Sequence, residues 1–154
     1  MIKPANPTNA EIIAQVICDS IRACHADHHD DPIEIASWTA NKTADNVRTW
    51  LEQNYAVNAL DNQNIGNKNI VGVAMLSPKG ELLLNYVLPT HQGKGVGKAM
   101  LNAICDYAKN QNLSQIYLES TKTAKEFYQA QGFLLKNDVI ENGEVVAFEM
   151  VLPL

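Results

Sequence analysis

The chain has 154 residues, 46% of them hydrophobic, and a formal net charge of −5 at pH 7, which suits one ordinary folded domain and argues against disorder and against nucleic acid as the default partner. No apolar run approaches the roughly 20 residues needed to cross a bilayer, and Met1-Ile2-Lys3-Pro4 lacks the apolar core of a signal peptide, so a cytoplasmic protein with no membrane partner is expected. Cys18, Cys24 and Cys105 are too few and too scattered for a disulfide framework or a zinc site and read as reduced packing residues.

The charge is uneven. Between His91 and Lys136 six lysines face three acids, a local +3, which leaves −8 for the remainder. An acidic remainder suits a cationic substrate such as an amine.

In chain order, Thr8-Asn9-Ala10-Glu11 has capping-box spacing, and Ile12, Ile13, Val16, Ile17, Ile21 and Cys24 recur at helical period, so a helix is expected from about Asn9 to Cys24. The run His25-Ala26-Asp27-His28-His29-Asp30-Asp31 has spacings of three and four that could hold a metal, but it reads as a solvated helix end, and no metal site is expected. Asp31-Pro32-Ile33-Glu34 supplies an N-cap, a proline at N1 and a glutamate at N3 for a short helix to about Trp38. Thr43 caps another, with Val47, Trp50 and Leu51 as its apolar stripe.

From Tyr55 the period changes to that of strands. Tyr55 to Leu60, Asn69 to Leu76 and Glu81 to Leu88 form a three-stranded antiparallel meander, with turns at 61–67 and 77–80. The third strand is apolar enough to be covered on both faces. A long helix to about Asn110 follows, with Val96, Met100, Ala103, Ile104 and Tyr107 inward. Gln115 to Glu119 is a short strand, parallel to the strand before the long helix in a βαβ unit. Thr121 or Thr123 caps a fourth helix through Phe127 to Gln131, with Gly132 at C′, and Phe133–Val139 and Val145–Val151 form a hairpin around Asn142-Gly143.

The chemistry lies in His91-Gln92-Gly93-Lys94-Gly95-Val96-Gly97-Lys98, at the start of the long helix. Glycines allow close backbone approach, and a helix's first turn has unpaired N–H groups and partial positive charge, so the loop suits a phosphate or pyrophosphate. A P-loop is excluded because Ala99 follows Gly97-Lys98 where a magnesium-binding hydroxyl is needed. A dinucleotide fingerprint is excluded because Gly93, Gly95 and Gly97 are spaced two by two and no further βαβ repeat follows.

Gln92-Gly93-Lys94-Gly95-Val96-Gly97 resembles the Gln/Arg-x-x-Gly-x-Gly/Ala signature of GCN5-related N-acetyltransferases. Tyr86-Val87-Leu88-Pro89 before it and Ala124-Lys125-Glu126-Phe127-Tyr128-Gln129-Ala130-Gln131-Gly132-Phe133 after it stand where such proteins often carry aromatic-Val-x-Pro and Ala-x-x-Phe-Tyr-x-x-x-Gly-Phe segments. The resemblance implies one α/β domain over residues 1–154: a mixed, mostly antiparallel, twisted sheet of six to seven strands flanked by helices, with a splayed parallel pair at the cofactor site.

It also implies acetyl-coenzyme A as cosubstrate and direct acetyl transfer to a primary amine, small molecule or peptide, by a monomer or homodimer. A longer acyl group, or a non-catalytic sensor that only holds the cofactor, are the alternatives. Backbone N–H groups from Gln92 to Lys98 are expected to hold the pyrophosphate, with Lys94 or Lys98 adding charge nearby. Tyr86, Val87 and Leu88 are expected to offer free backbone groups to the pantetheine arm, and an N–H near Val87 or Leu88 to polarise the thioester carbonyl. Tyr128 is the expected proton donor to the departing thiol, and Glu81 the expected base for the amine. Asn85, polar where the family is usually apolar, and His25 and His28, because the first helices border the acceptor pocket, are candidate substrate contacts. No cysteine is expected near the loop or Tyr128, so an acyl-cysteine route is not expected.

Overall fold

The period changes read from the sequence become helices and strands in a computed structural model, which describes residues 1–61 and 69–154. The turn expected at 61–67 falls outside these residues except for Asp61. In order, the elements are β1 (Ile2–Pro4), α1 (Ala10–Arg22), α2 (His25–His28), α3 (Pro32–Thr39), α4 (Ala44–Gln53), β2 (Tyr55–Leu60), β3 (Ile70–Leu76), β4 (Leu82–Val87), α5 (Val96–Asn110), β5 (Gln115–Ser120), α6 (Lys125–Ala130), β6 (Leu134–Glu141) and β7 (Glu144–Pro153).

The strands form two antiparallel sheets, ordered β1-β2-β3-β4 and β5-β7-β6. Among the described residues their backbones pair where Gly80-Glu81 runs parallel to β5, through a Glu81–Tyr117 bridge and a Tyr117 N–H bond to the Gly80 carbonyl of 3.0 Å. Beyond that point β4 and β5 do not pair, so the sheet opens as a V at the end of β4 that leads into the glycine loop.

Two apolar layers hold the first sheet. On one face Ile13, Val16, Ile17 and Ile21 of α1 and Val47 and Leu51 of α4 pack with Ala56, Val73 and Leu84. On the other, Met100, Leu101, Ile104 and Ala108 of α5 pack with Val57, Ala74, Ile116, Tyr128 and Phe133. β3 is buried along its whole length. Gly72 lets α5 close on it, since a Cβ there would stand 3.0 Å from Met100 Cε and 3.1 Å from the Tyr86 carbonyl oxygen.

Local capping chemistry held in several places. Asp31 accepts from the Ile33 N–H at 2.9 Å and Thr43 from the Asn46 N–H at 3.2 Å. Asn142 and Gly143 both take positive φ, as a two-residue hairpin turn requires. Gly132, with φ of 96°, ends α6 in a Schellman pattern, the Phe133 N–H reaching the Tyr128 carbonyl at 3.0 Å and the Gly132 N–H that of Gln129 at 3.0 Å.

Other expectations are corrected. Thr8 does not cap α1: its N–H and hydroxyl both bond to the Asn6 side chain, making a 3₁₀ turn at Pro7–Asn9 before the helix. β4 is not covered on both faces. Its pairing with β3 slips between Leu82 and Leu84, and Leu83, the extra residue of this bulge, is 41% exposed.

Candidate active site

The glycine loop takes the shape its composition suggested. Gly93 and Gly95 lie at φ of 75° and 80°, a left-handed conformation that disfavours side chains. Gly95 is the N-cap of α5 and provides no side-chain cap, so N–H groups of the first turn have no intrahelical partner. A Cβ on Gly97 would come to 3.4 Å from the Phe127 ring, so the glycine lets α5 and α6 approach at the loop.

A cleft of about 740 Å³ begins at this loop. It is lined by Gln92, Gly93, Gly95, Val96, Gly97 and Lys98 of the loop and α5, by Asn85 and Val87 of β4, and by Phe127 and Tyr128 of α6. The corner of α1 and α2, from Cys24 to Asp27, also lines it, together with Thr123. The structure therefore brings Gln92, Gly93, Gly95, Val96, Gly97, Lys98, Val87, Asn85, Tyr128 and His25 to one place.

Lys94 turns to a neighbouring depression shared with Ile2, Asp61 and His91. Beside the loop, His91 Nε2 lies 2.8 Å from the Asp61 carboxylate.

The expected free backbone of Tyr86, Val87 and Leu88 is corrected by strand alternation. The Leu88 N–H is bonded to the Val71 carbonyl at 2.8 Å, and in the same register Tyr86 also faces β3. Val87 alone of the three turns its backbone outward to the gap, where its carbonyl accepts from Gln92 Nε2 at 3.1 Å.

Tyr86 points to the α1 side of the sheet. Burial pushes its phenol up to about 12, helped by the nearby Cys24, Tyr128 and Asp27. Burial favours the neutral phenol, so the unfolded chain ionises first, near pH 10, and stability should fall as pH rises from about 10 to about 12. We expect the fall to be smaller by about 2–3 kcal/mol in Tyr86→Phe. Urea midpoints followed across that window test this, and parallel curves for the two proteins would refute it.

Tyr128 is both packed and chemically presented. Its ring meets Phe127 and Phe133 edge-on at 5.1 and 5.3 Å, while its hydroxyl is 3.4 Å from Asn85 Nδ2. Burial raises its pKa, and the Asn85 donor acts in the opposite sense. Asn85 Oδ1 is buried without a hydrogen-bond partner.

Glu81 is not brought to Tyr128. It sits at the closed end of the V, against Tyr117, and borders a separate depression with Glu119, Lys136 and Glu149. His28 does not line the cleft: it is fully buried, with Nδ1 accepting from the Asp30 N–H at 2.9 Å and Nε2 at 3.1 Å from the Arg22 carbonyl oxygen. His25, His28 and Asp30 place potential ligand atoms within 4.8 Å of one another, but both His28 nitrogens are engaged by backbone.

The expectation that no cysteine lies near Tyr128 is also corrected, because Cys24 lines the cleft. Its thiol is 3.2 Å from the Ser20 carbonyl oxygen, and burial and the Asp27 charge raise its pKa. Both effects keep it a thiol, so it is a poor nucleophile.

Sequence reasoning missed Asp27 and Thr123 as cleft residues. Thr123 reads as a helix cap, but its hydroxyl lies 2.9 and 2.8 Å from the two Asp27 carboxylate oxygens. Neither threonine caps α6: its N-cap is Ala124, with no side-chain cap, and Thr121 accepts from the Ala124 N–H at 3.3 Å in the turn before the helix.

The profile of the acetyltransferase (GNAT) domain matches residues 25–154. Among solved structures, a GCN5-related N-acetyltransferase from Rhodopseudomonas palustris superimposes with a TM-score of 0.83 at 24% identity, covering 100% of this chain and 95% of that one. The PaiA N-acetyltransferase from Thermoplasma acidophilum, in complex with coenzyme A, gives 0.83 at 17% identity, covering 100% and 98%. The YncA protein from Salmonella typhimurium, with its cofactor acetyl-CoA, gives 0.72 at 17%, covering 99% and 92%. A search of curated protein sequences finds no match. A glycine loop at the N-terminus of α5, an open seam between β4 and β5, and a profile that spans most of the sequence agree: the chain belongs to the GNAT acetyltransferase family.

Proposed function

We propose that the protein transfers an acetyl group from acetyl-CoA to a primary amine, both substrates being bound together. The observation that carries this reading is the juxtaposition, in one cleft, of the loop's unpaired N–H groups, the outward backbone of Val87 and the hydroxyl of Tyr128. The residues fit the cofactor. The first turn of α5 presents N–H groups to a pyrophosphate, with Lys98 at the cleft and Lys94 beside it. The Val87 edge offers the pantetheine amides the partner that β5 does not.

Acetyl-CoA supplies an activated acyl carbon and a thiolate leaving group. The Val87 N–H, facing the gap, is placed to donate to the thioester oxygen as negative charge develops there. Tyr128, kept neutral by burial, holds a proton for the sulfur. The amine must arrive with a free lone pair. For its proton Glu81 is reachable only from the closed end of the V, and an ordered water is the more direct acceptor.

Calorimetry with coenzyme A tests the first half of the reading. We expect binding that weakens with salt, as a phosphate contact must. The second half is tested by thiol release from acetyl-CoA across a panel of amines. No coenzyme A binding would overturn the reading, and binding without thiol release from any amine would favour a sensor.

A further inference from the structure

Resting on the acetyl-transfer reading, we infer that the acceptor amine enters as a cation and is received by Asp27, which acts as the anchoring carboxylate of the acceptor site. Asp27 stands in the first turn of α2, half-buried, and lines the same cleft as Tyr128 and Asn85. Among the described residues no arginine, lysine or histidine stands within ion-pair distance of Asp27.

What it has is one neutral donor. The Thr123 hydroxyl owns a single hydrogen, yet both carboxylate oxygens lie 2.8–2.9 Å from it. A carboxylate has room for about four such bonds, so most of its accepting capacity remains. Thr123 itself comes from the β5–α6 connection, 96 residues away in sequence, and therefore fixes Asp27 in position across the mouth of the V.

The number of hydrogens a ligand can offer Asp27 points to its chemistry. An alcohol brings one hydrogen and no charge, while a primary ammonium brings three hydrogens and the charge that Asp27 lacks.

In the reaction the nitrogen forms its bond to the acyl carbon and the carbon–sulfur bond breaks. Of the two protons the ammonium sheds, the first leaves to water as the lone pair is freed. The second restores Tyr128 after its proton has gone to the sulfur. Asp27 holds the nitrogen through the first of these steps and does not change its own bonding.

The pantetheine amides of coenzyme A are the other possible source of N–H groups, and the two sources are separable by titration. Amines and the matching alcohols (1,4-diaminobutane and 1,4-butanediol, tyramine and its hydroxyl analogue) and a free alanyl peptide with its N-acetylated form are titrated into the protein saturated with coenzyme A. We expect the amine of at least one pair to bind at least about tenfold tighter than its neutral partner. We expect Asp27→Asn to remove that preference while coenzyme A affinity stays at the wild-type value.

Unchanged amine affinity in Asp27→Asn, or a fall in coenzyme A affinity with the amine preference intact, overturns the assignment. Should Asp27→Asn fail to fold, the wild-type comparison decides: no amine preferred over its neutral partner overturns the assignment too. Failure of coenzyme A itself to bind the wild type overturns instead the acetyl-transfer reading on which this one rests.

Discussion

Tyr128→Phe should lower kcat by about 10²–10⁴-fold, the range of a positioned general acid, and leave the KM for acetyl-CoA close to wild type. The thiol of coenzyme A, taken as cysteine-like, has a pKa of roughly 8.5, so its thiolate leaves faster with a proton at hand. The Tyr128 hydroxyl is the phenol that lines the cleft, and Asn85 Nδ2 meets its oxygen at 3.4 Å, which leaves the hydroxyl hydrogen free to turn toward the leaving group. The substitution keeps the ring, whose edge contacts to Phe127 and Phe133 hold α6 in place, so stability should change little. Thiol release under saturating amine measures the effect.

Asn85→Leu supplies the control for position. If Asn85 acts through Tyr128, its loss should lower kcat in the wild type and do nothing further in Tyr128→Phe. Full activity in Tyr128→Phe would remove the tyrosine from the mechanism, and additive losses would separate Asn85 from it.

Features decided by neighbouring residues were readable in advance, and features decided across the chain were not. The Asp31 and Thr43 caps, the Asn142-Gly143 turn and the Gly132 stop each depend on side chains or φ angles within a few residues. The glycine loop belongs with them, since its shape follows from Gly93 and Gly95 themselves. By contrast β1 is three residues, one a proline, and becomes a strand only because β2 offers Val57 to Ala59 as partners. α2 is a single turn that no periodicity could mark. The Leu83 bulge depends on register with β3, and a one-residue slip there changes which side chains reach the core.

The site divides in the same way. Tyr128 and the loop were legible from motifs, and Asn85 stood out as a polar residue in an apolar strand. Asp27 and Cys24 were not, because what brings them to the cleft is the turn after α1, and what marks Asp27 is a partner 96 residues away. Glu81 shows the converse error: sequence order along β4 could not say that the strand starts at the closed end of the V.

Phe133→Ala should be the most damaging single truncation, at about 3–5 kcal/mol. Phe133 is 2% exposed and among the largest fully buried side chains. It belongs to the layer between the first sheet and α5, and its backbone leads directly into β6 of the second sheet, so its ring joins Ile116, Leu118 and Met150 in tying the two sheets together. Against a total stability of about 5–15 kcal/mol, a loss of that size leaves the domain marginal. The same ring is the edge partner of Tyr128, and the Phe133 N–H closes α6 on the Tyr128 carbonyl. Truncation therefore frees the tyrosine as well as opening a cavity, and kcat should fall even at temperatures where the variant stays folded. Urea unfolding gives the first effect, with the midpoint lowered and the slope unchanged, and thiol release well below the melting temperature gives the second. A midpoint within about 1 kcal/mol of wild type would mean that the two halves of the sheet are held together elsewhere. Normal turnover in a destabilised variant would mean that Asn85 alone is enough to hold the Tyr128 hydroxyl.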